Sequence, residues 1–329
     1  MPLYNMVKNV VEKVPEFKDF MKVKELYKSS EELAKKYCGY IENVDVGPSR
    51  TELPVKALII HGSEDKRVLA FSFPHPNEPI GSLTLEFLSK YLAENNDLRR
   101  KATWIFIKVA DVFGAILNEG WFKGPFDIKK YVLNYYRTPA GKQVEWSFPM
   151  EYKDLKWDKP LPETRAIMKL IDEWKPTHIY SLHNAGFTGT YYYLTKKPSE
   201  EVLDILKGIP REFEVPIHKG EAETPYMEKI DTGIFRMPST KDEYDWLEKY
   251  LGRSPMKDIK HGGSSYDYAL RSNQNVFELI CEVPYLYDYR LDNDLEIGVP
   301  RREILKIVHE REKEIIKTLD EIIKEFKNE

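Results

Sequence analysis

The chain has 329 residues, of which 42% are hydrophobic and 13% aromatic, ample for a large core. A formal net charge of −4 leaves no basic footprint for nucleic acid or an anionic membrane surface, so neither partner is expected. Two distant cysteines, Cys38 and Cys281, argue against a disulfide framework, and no apolar run approaches the ~18 residues of a membrane helix. The first thirteen residues are too polar for the apolar region of a signal peptide, and a cytoplasmic location is expected.

In chain order, residues 1–40 read as helix broken once at Pro15, with Val10, Val11, Val14, Phe17, Phe20, Met21 and Leu26 at helical spacing. Residues 55–61 and 67–73 are apolar runs of strand length. Residues 80–95 form an amphipathic helix with Leu83, Phe87, Leu88 and Leu92 on one face. A third strand covers 103–109. The aromatic and proline-rich stretch 111–160 has no clear period. A helix over 162–174, a strand over 177–182 and helices over 200–207 and 241–251 follow. Residues 274–281 make a late strand and 301–326 a long helix. Its stripe of Ile304, Val308, Ile315, Leu319, Ile322 and Phe326 is expected to dock on the core. Strands alternating with helices predict a mainly parallel sheet covered on both faces. No linker divides the chain, so residues 1–329 are expected to form one domain, with a helical segment at 1–40 and a packed helix at 301–329.

The chemistry-bearing stretch is Phe73-Pro-His-Pro-Asn-Glu-Pro-Ile-Gly81, which sets His75 and Glu78 three residues apart directly after a strand. Pro74, Pro76 and Pro79 exclude regular helix, because a residue before proline avoids the helical region. The two side chains therefore sit in a stiff turn. His183 follows the strand over 177–182 and precedes the turn signal Asn184-Ala-Gly186. Carboxyl ends of strands are where open α/β sheets place their sites. Two imidazoles and a carboxylate match a hydrolytic zinc site with a fourth position open for water. A lone His-x-x-Glu is usually accidental, and a single His after a strand is usually structural. Both features at strand ends, in this order, point to a metal-dependent hydrolase.

His-Pro-Asn-Glu-Pro-Ile-Gly, the later Ser-Leu-His-Asn-Ala-Gly and a still later strand bearing Glu resemble the M14 zinc carboxypeptidase family across residues 55–290. The resemblance implies a three-layer α/β/α sandwich around a mixed, mainly parallel eight-stranded sheet. It also implies one zinc per chain, held by His75, Glu78 and His183. The family's catalytic Glu falls on Glu282 or Glu278, four apart and so on one strand face. A Phe-Glu-Leu match favours Glu278, whereas the distance from Gly262-Gly-Ser-Ser-Tyr-Asp267 favours Glu282, which is the residue chosen. Asn134 and Arg137, separated by two tyrosines, stand where the family clamps a substrate carboxylate, and Arg137 is also assigned to catalysis. Arg271 is a further candidate for the substrate pocket, and Lys129 or Lys130 could stand in for the family's second arginine.

Tyr266 and Tyr268 flank Asp267 without marking a family tyrosine. His61, His178, His218, His261 and His309 read as structural, with His178 pointing away from the site. The aromatic insert 121–148 is expected to line or cover the pocket. The implied reaction is cleavage of a peptide or peptide-like amide, at a C-terminal residue, by metal-activated water. The same ligands also occur in amidohydrolases of N-acyl amino acids of the succinylglutamate desuccinylase and aspartoacylase branch. That branch carries a trailing β-rich module, where this chain ends in a helix. A non-catalytic metal-binding relative is the third reading. The expected partner is a peptide or N-acyl amino acid substrate, and the sequence carries no indication of oligomeric state.

Overall fold

In the computed structural model, which describes residues 2–286, 288, 290 and 298–326, the apolar runs become strands and the periodic runs helices. Helices α1 (Leu3–Val11) and α2 (Val23–Lys36) flank the break around Pro15. Strands β1 (Ile41–Gly47), β2 (Val55–Ile60) and β3 (Arg67–Ser72) follow, then α3 (Ile80–Glu94), α4 (Asn96–Arg99) and β4 (Thr103–Ile107). The stretch without a period holds α5 (Val112–Asn118), α6 (Ile128–Asn134) and a hairpin of β5 (Met150–Tyr152) and β6 (Leu155–Trp157). Next come α7 (Pro162–Trp174), β7 (His178–Ala185), β8 (Tyr191–Leu194), α8 (Glu200–Glu212), β9 (Lys229–Asp231) and β10 (Ile234–Arg236). Helices α9 (Thr240–Leu251) and α10 (Ser265–Ala269) precede β11 (Phe277–Pro284).

The main sheet runs β1-β2-β4-β3-β7-β11-β8-β10-β9. Its centre, β4-β3-β7-β11, is parallel throughout, whereas β1, β2 and β8 join antiparallel. Buried Leu69, Phe71, Ile105, Ile107 and Ile179 meet Val112 and Ala115 of α5 and Ile167, Leu170 and Ile171 of α7 on one face. Leu58, Ile60, Ala70 and Phe106 meet Leu85, Leu92 and Ala93 of α3 on the other. This is the expected mixed α/β architecture. Among the described residues the sheet has nine strands where eight were expected, and its far edge is a short hairpin of β9 and β10 around Gly233, whose φ is +67°. Three-residue strands are too short for alternation to reveal.

The late strands are longer than the sequence suggests. β7 continues past Leu182 to Ala185 because Asn184 and Ala185 pair with Val283 and Pro284 of β11. The turn signal at Asn184 is overridden by this pairing. Helix α3 lies close under β7: a Cβ on Gly81 would stand 2.5 Å from the Cβ of Leu182. Gly81→Ala is therefore expected to cost about 1–3 kcal/mol, as overpacking does, and urea unfolding measures it as a lower midpoint.

Residues 289–329 form a separate compact unit from 1–288. Its helix α11 (Arg301–Phe326) has no buried residue and carries Ile304, Val308, Ile315, Leu319, Ile322 and Phe326 as an exposed stripe. No described helix is long and apolar enough to cross a membrane.

Candidate metal centre

The turn after β3 begins with a backbone constraint. Phe73 has φ +54°, a left-handed conformation that costs a non-glycine residue about 1–3 kcal/mol and persists only where its surroundings enforce it. The neighbouring backbone does so. Ala110 N donates to Ser72 O at 2.9 Å and Asp111 N to Phe73 O at 3.1 Å. Asn118 of α5 donates its Nδ2 to Pro76 O at 3.1 Å and to Tyr136 O at 2.9 Å. Its Oδ1 accepts from Trp121 Nε1 and from Tyr136 N. Asn118 thus joins the turn to the segment that carries Arg137. Helix α5 is itself anchored by Asp111, which accepts from Gly114 N at 2.8 Å and pairs with Arg50 at 2.7 Å. Arg50 Nε also reaches Glu163 at 3.1 Å.

His75, Glu78 and His183 converge with their ligand atoms all within 4.8 Å of one another, and all three are buried. The two imidazoles lie 4.9 Å apart between ring centroids. His183 Nδ1 stands 3.0 Å from Glu78 Oε2. Even so, Nδ1 of His183 and Nδ1 of His75 both lack a hydrogen-bond partner in this geometry. Two orphaned imidazole nitrogens beside a carboxylate, all aimed at one point, are a donor set suited to zinc. Burial drives the His75 ring down to about 3, so it is neutral, as a ligand must be. Burial opposes the charged form of Glu78, but His75, His183 and Arg137 outweigh it and hold the carboxyl at about 2. Burial likewise opposes a charged His183, yet Glu282 and Glu78 raise the ring to about 9. A ring among so many carboxylates calls for a proton or a metal ion.

Outer contacts hold the ligands. His183 Nε2 lies 2.8 Å from Ser181 Oγ, which donates to Glu145 Oε2 at 3.3 Å. Asn184 N donates to Glu78 Oε2, while Asn184 Oδ1 accepts from Ile80 N at the start of α3. Arg137 Nη1 donates to Glu78 Oε1 at 2.8 Å and to Asn77 Oδ1 at 3.2 Å. Such contacts set ring and carboxylate orientation and tune ligand basicity.

The pairing of β7 and β11 places Glu282 opposite His183, with its Oε1 3.6 Å from His183 Nδ1. Burial pushes the Glu282 carboxyl up to about 8. It borders a cavity of about 440 Å³ together with His75, Glu78, Arg137, Glu145 and His183. Glu278 shares the strand face but lies four residues back, roughly 13 Å along the strand. It is fully buried, accepts from Ser265 Oγ at 2.7 Å and does not line the cavity. Burial raises its carboxyl well above the usual range.

The other expected residues separate in the same way. Arg137 lines the cavity. Asn134 turns its Nδ2 to Lys130 O, Arg271 stacks on Tyr268, and neither reaches the cavity. Lys130 is bonded to Lys123 O, and neither it nor Lys129 borders the cavity. Tyr266 lines a neighbouring cleft, and Tyr268 bonds Asp172. His61 and His261 pair with Glu42 and Glu243, His178 bonds Thr177, and His218 bonds Thr188. From the aromatic insert, Arg137, Glu145 and Trp146 line the cavity, whereas Trp121 packs its ring against Phe20, Tyr131 and Tyr285 behind the turn. Glu145 and Glu223, both on the cavity, have no sequence pattern that marks them.

No protein-family model and no curated protein matches the sequence. Among solved structures, a protein from Shewanella baltica provisionally classed as a metallopeptidase aligns with a TM-score of 0.53 and 12% identity, covering 82% of this chain and 86% of its own. A counterpart from Shewanella amazonensis gives 0.52 and 12%, covering 80% and 84%. Carboxypeptidase A from Helicoverpa armigera gives 0.51 and 16%, covering 87% of this chain and 71% of its own. At these identities the likeness is one of fold. This chain has the metallocarboxypeptidase-like fold, with a His-Glu-His cluster able to hold a metal.

Proposed function

We propose that this protein is a zinc-dependent hydrolase of the M14 type that cleaves a peptide or peptide-like amide bond. One observation carries the reading: the orphaned Nδ1 atoms of His75 and His183 converge with Glu78 beside a cavity that Glu282 borders. Bound by these three residues, zinc would supply a water of lowered pKa and a polarised scissile carbonyl. Glu282, adjacent to the ligands but outside their set, takes the proton of the attacking water and returns it to the leaving amine. Its desolvated carboxylate is basic enough for the first transfer and acidic enough for the second. Arg137 keeps its second terminal nitrogen for a substrate carbonyl or carboxylate, while its first holds Glu78.

Metal analysis of the purified protein is expected to give one zinc per chain. Chelation is expected to lower the melting midpoint by roughly 5–10 °C, the equivalent of about 4 kcal/mol for a metal at a thousand times its dissociation constant. The metal-loaded protein is then assayed on peptides with free and amidated C-termini. No stoichiometric metal and an unmoved midpoint in chelator would overturn the proposal.

A further inference from the structure

The sheet register sets out a row of side chains leading away from the metal ligands. His183 on β7 lies opposite Glu282 on β11, and Glu282 opposite Tyr191 on β8. One rung back the row is Ser181, Ile280 and Tyr193. With strands about 4.8 Å apart, the tyrosines stand roughly 10 Å to the side of His183. There they meet Glu223, from the connection between α8 and β9. Tyr191 Oη donates to Glu223 Oε1 at 2.9 Å and Tyr193 Oη to Glu223 Oε2 at 2.7 Å. Each carboxylate oxygen keeps acceptor capacity. Met227, Met237 and Ile280 pack with the two phenol rings and line the same cavity.

Carboxylates outnumber permanently charged cations in the lining of this cavity. Four carboxylates line it, Glu78, Glu145, Glu223 and Glu282, against one permanently charged cation among the described residues, Arg137. Its Nη1 is held by Glu78 and Asn77. Glu145 is 1% exposed and its Oε1 has no partner. Glu223 itself, two strands from the metal-site residues, holds two phenols and pairs with no cation among the described residues. An acidic side chain reaching Glu223 meets repulsion, and a neutral one makes no ion pair with it. A long side chain with an apolar stem and a cationic head lays its methylenes on the Met and Ile wall and sets its head against Glu223 and the Tyr faces.

We infer that Glu223 is the selectivity residue of this cavity, and that the substrate residue bound beside the metal ligands has a lysine- or arginine-like side chain. The inference rests on the hydrolase reading above. The opposing view is that Glu223 only satisfies two phenols.

The test uses full-length, zinc-loaded protein and peptides carrying lysine, norleucine or glutamate at either position flanking the scissile amide. At one of the two positions, kcat/KM is expected to favour lysine over norleucine by about 10- to 100-fold, with glutamate slowest. Glu223→Gln, near-isosteric and able to accept from one phenol through its Oε1 and donate to the other through its Nε2, is expected to shrink the lysine-to-norleucine ratio to about threefold or less. Glu223→Lys is expected to put glutamate above lysine. Calorimetric binding of argininamide and norleucinamide to wild type and Glu223→Gln gives a readout that needs no turnover. Argininamide binding that depends on Glu223 in a protein inert on every peptide would sustain the inference while the hydrolase reading fails. Equal rates for lysine and norleucine, or a ratio unmoved by Glu223→Gln, would overturn it.

Discussion

Replacing Glu282 with glutamine is expected to lower kcat by about 10²- to 10⁴-fold while the protein keeps its metal and its melting midpoint. Glutamine retains the shape of the side chain but cannot take a proton. The cluster able to hold a metal is His75, Glu78 and His183, without Glu282, so the metal content is expected to stay at the wild-type level. The position of the carboxylate favours this role. Register sets it beside His183, and burial lifts it to about 8, within the range where a carboxyl can both accept and give back a proton near neutrality.

Glu278→Gln is the matched control. Burial holds that carboxyl well above the usual range, it lies off the cavity, and glutamine can accept from Ser265 Oγ in its place. Turnover is expected to stay within a few-fold of wild type. Steady-state kinetics beside metal analysis checks both variants, and loss of turnover in Glu278→Gln alone would move the base to that residue.

Arg50→Ala is expected to destabilise the fold by about 3–5 kcal/mol, because it strips the counter-charge from two buried carboxylates. Asp111 and Glu163 are 1% and 0% exposed, and Arg50 bridges them. The loss also reaches the metal turn, since Asp111 caps α5 and α5 holds Pro76 through Asn118. The pH dependence has a definite sign. Burial raises the Asp111 carboxyl more than Arg50 lowers it, to about 6. An acid held above its unfolded value of about 4 gains a proton on folding between those values, so stability falls as pH rises through that window. Without Arg50 the folded value climbs further and the window widens upward. The deficit of the variant should therefore be full near about pH 8 and shrink toward about pH 5 as Asp111 takes up its proton. Urea unfolding at the two pH values measures it, and a deficit independent of pH would argue that packing of the arginine, not its charge, is what matters.

The metal turn was legible from residues alone because its information is local. Three prolines within six residues leave few backbone choices, and the apolar run before them ends where β3 ends. The same holds for α3, α7 and α11, whose apolar periods or capping prolines mark them within one residue of their observed bounds. Glu282 and Glu278 stand on one face of one strand, and the local Phe-Glu-Leu match pointed to Glu278. The distance to Asp267 favoured Glu282, which is the one at the cavity.

Asn134 was placed by resemblance and Arg271 by its nearness to Asp267, and their side chains turn to Lys130 and Tyr268 instead. Helix α6 ends at Asn134, so the two tyrosines that separate it from Arg137 lie on the extended backbone that carries Arg137 to the metal turn.

Composition, proline positions and apolar spacing were enough to specify the elements and the His75–Glu78 pair, because each depends on residues within a turn or two of chain. The third ligand's partner strand, the choice of Glu282, the reach of Arg137 and the arrival of Glu145 and Glu223 depend on pairings between segments tens to hundreds of residues apart. Register between β7, β11 and β8 sets those neighbours, and a slip of one residue would turn every one of them to the other face of the sheet. That register is settled by burial summed over the whole sheet, which no single stretch of sequence contains.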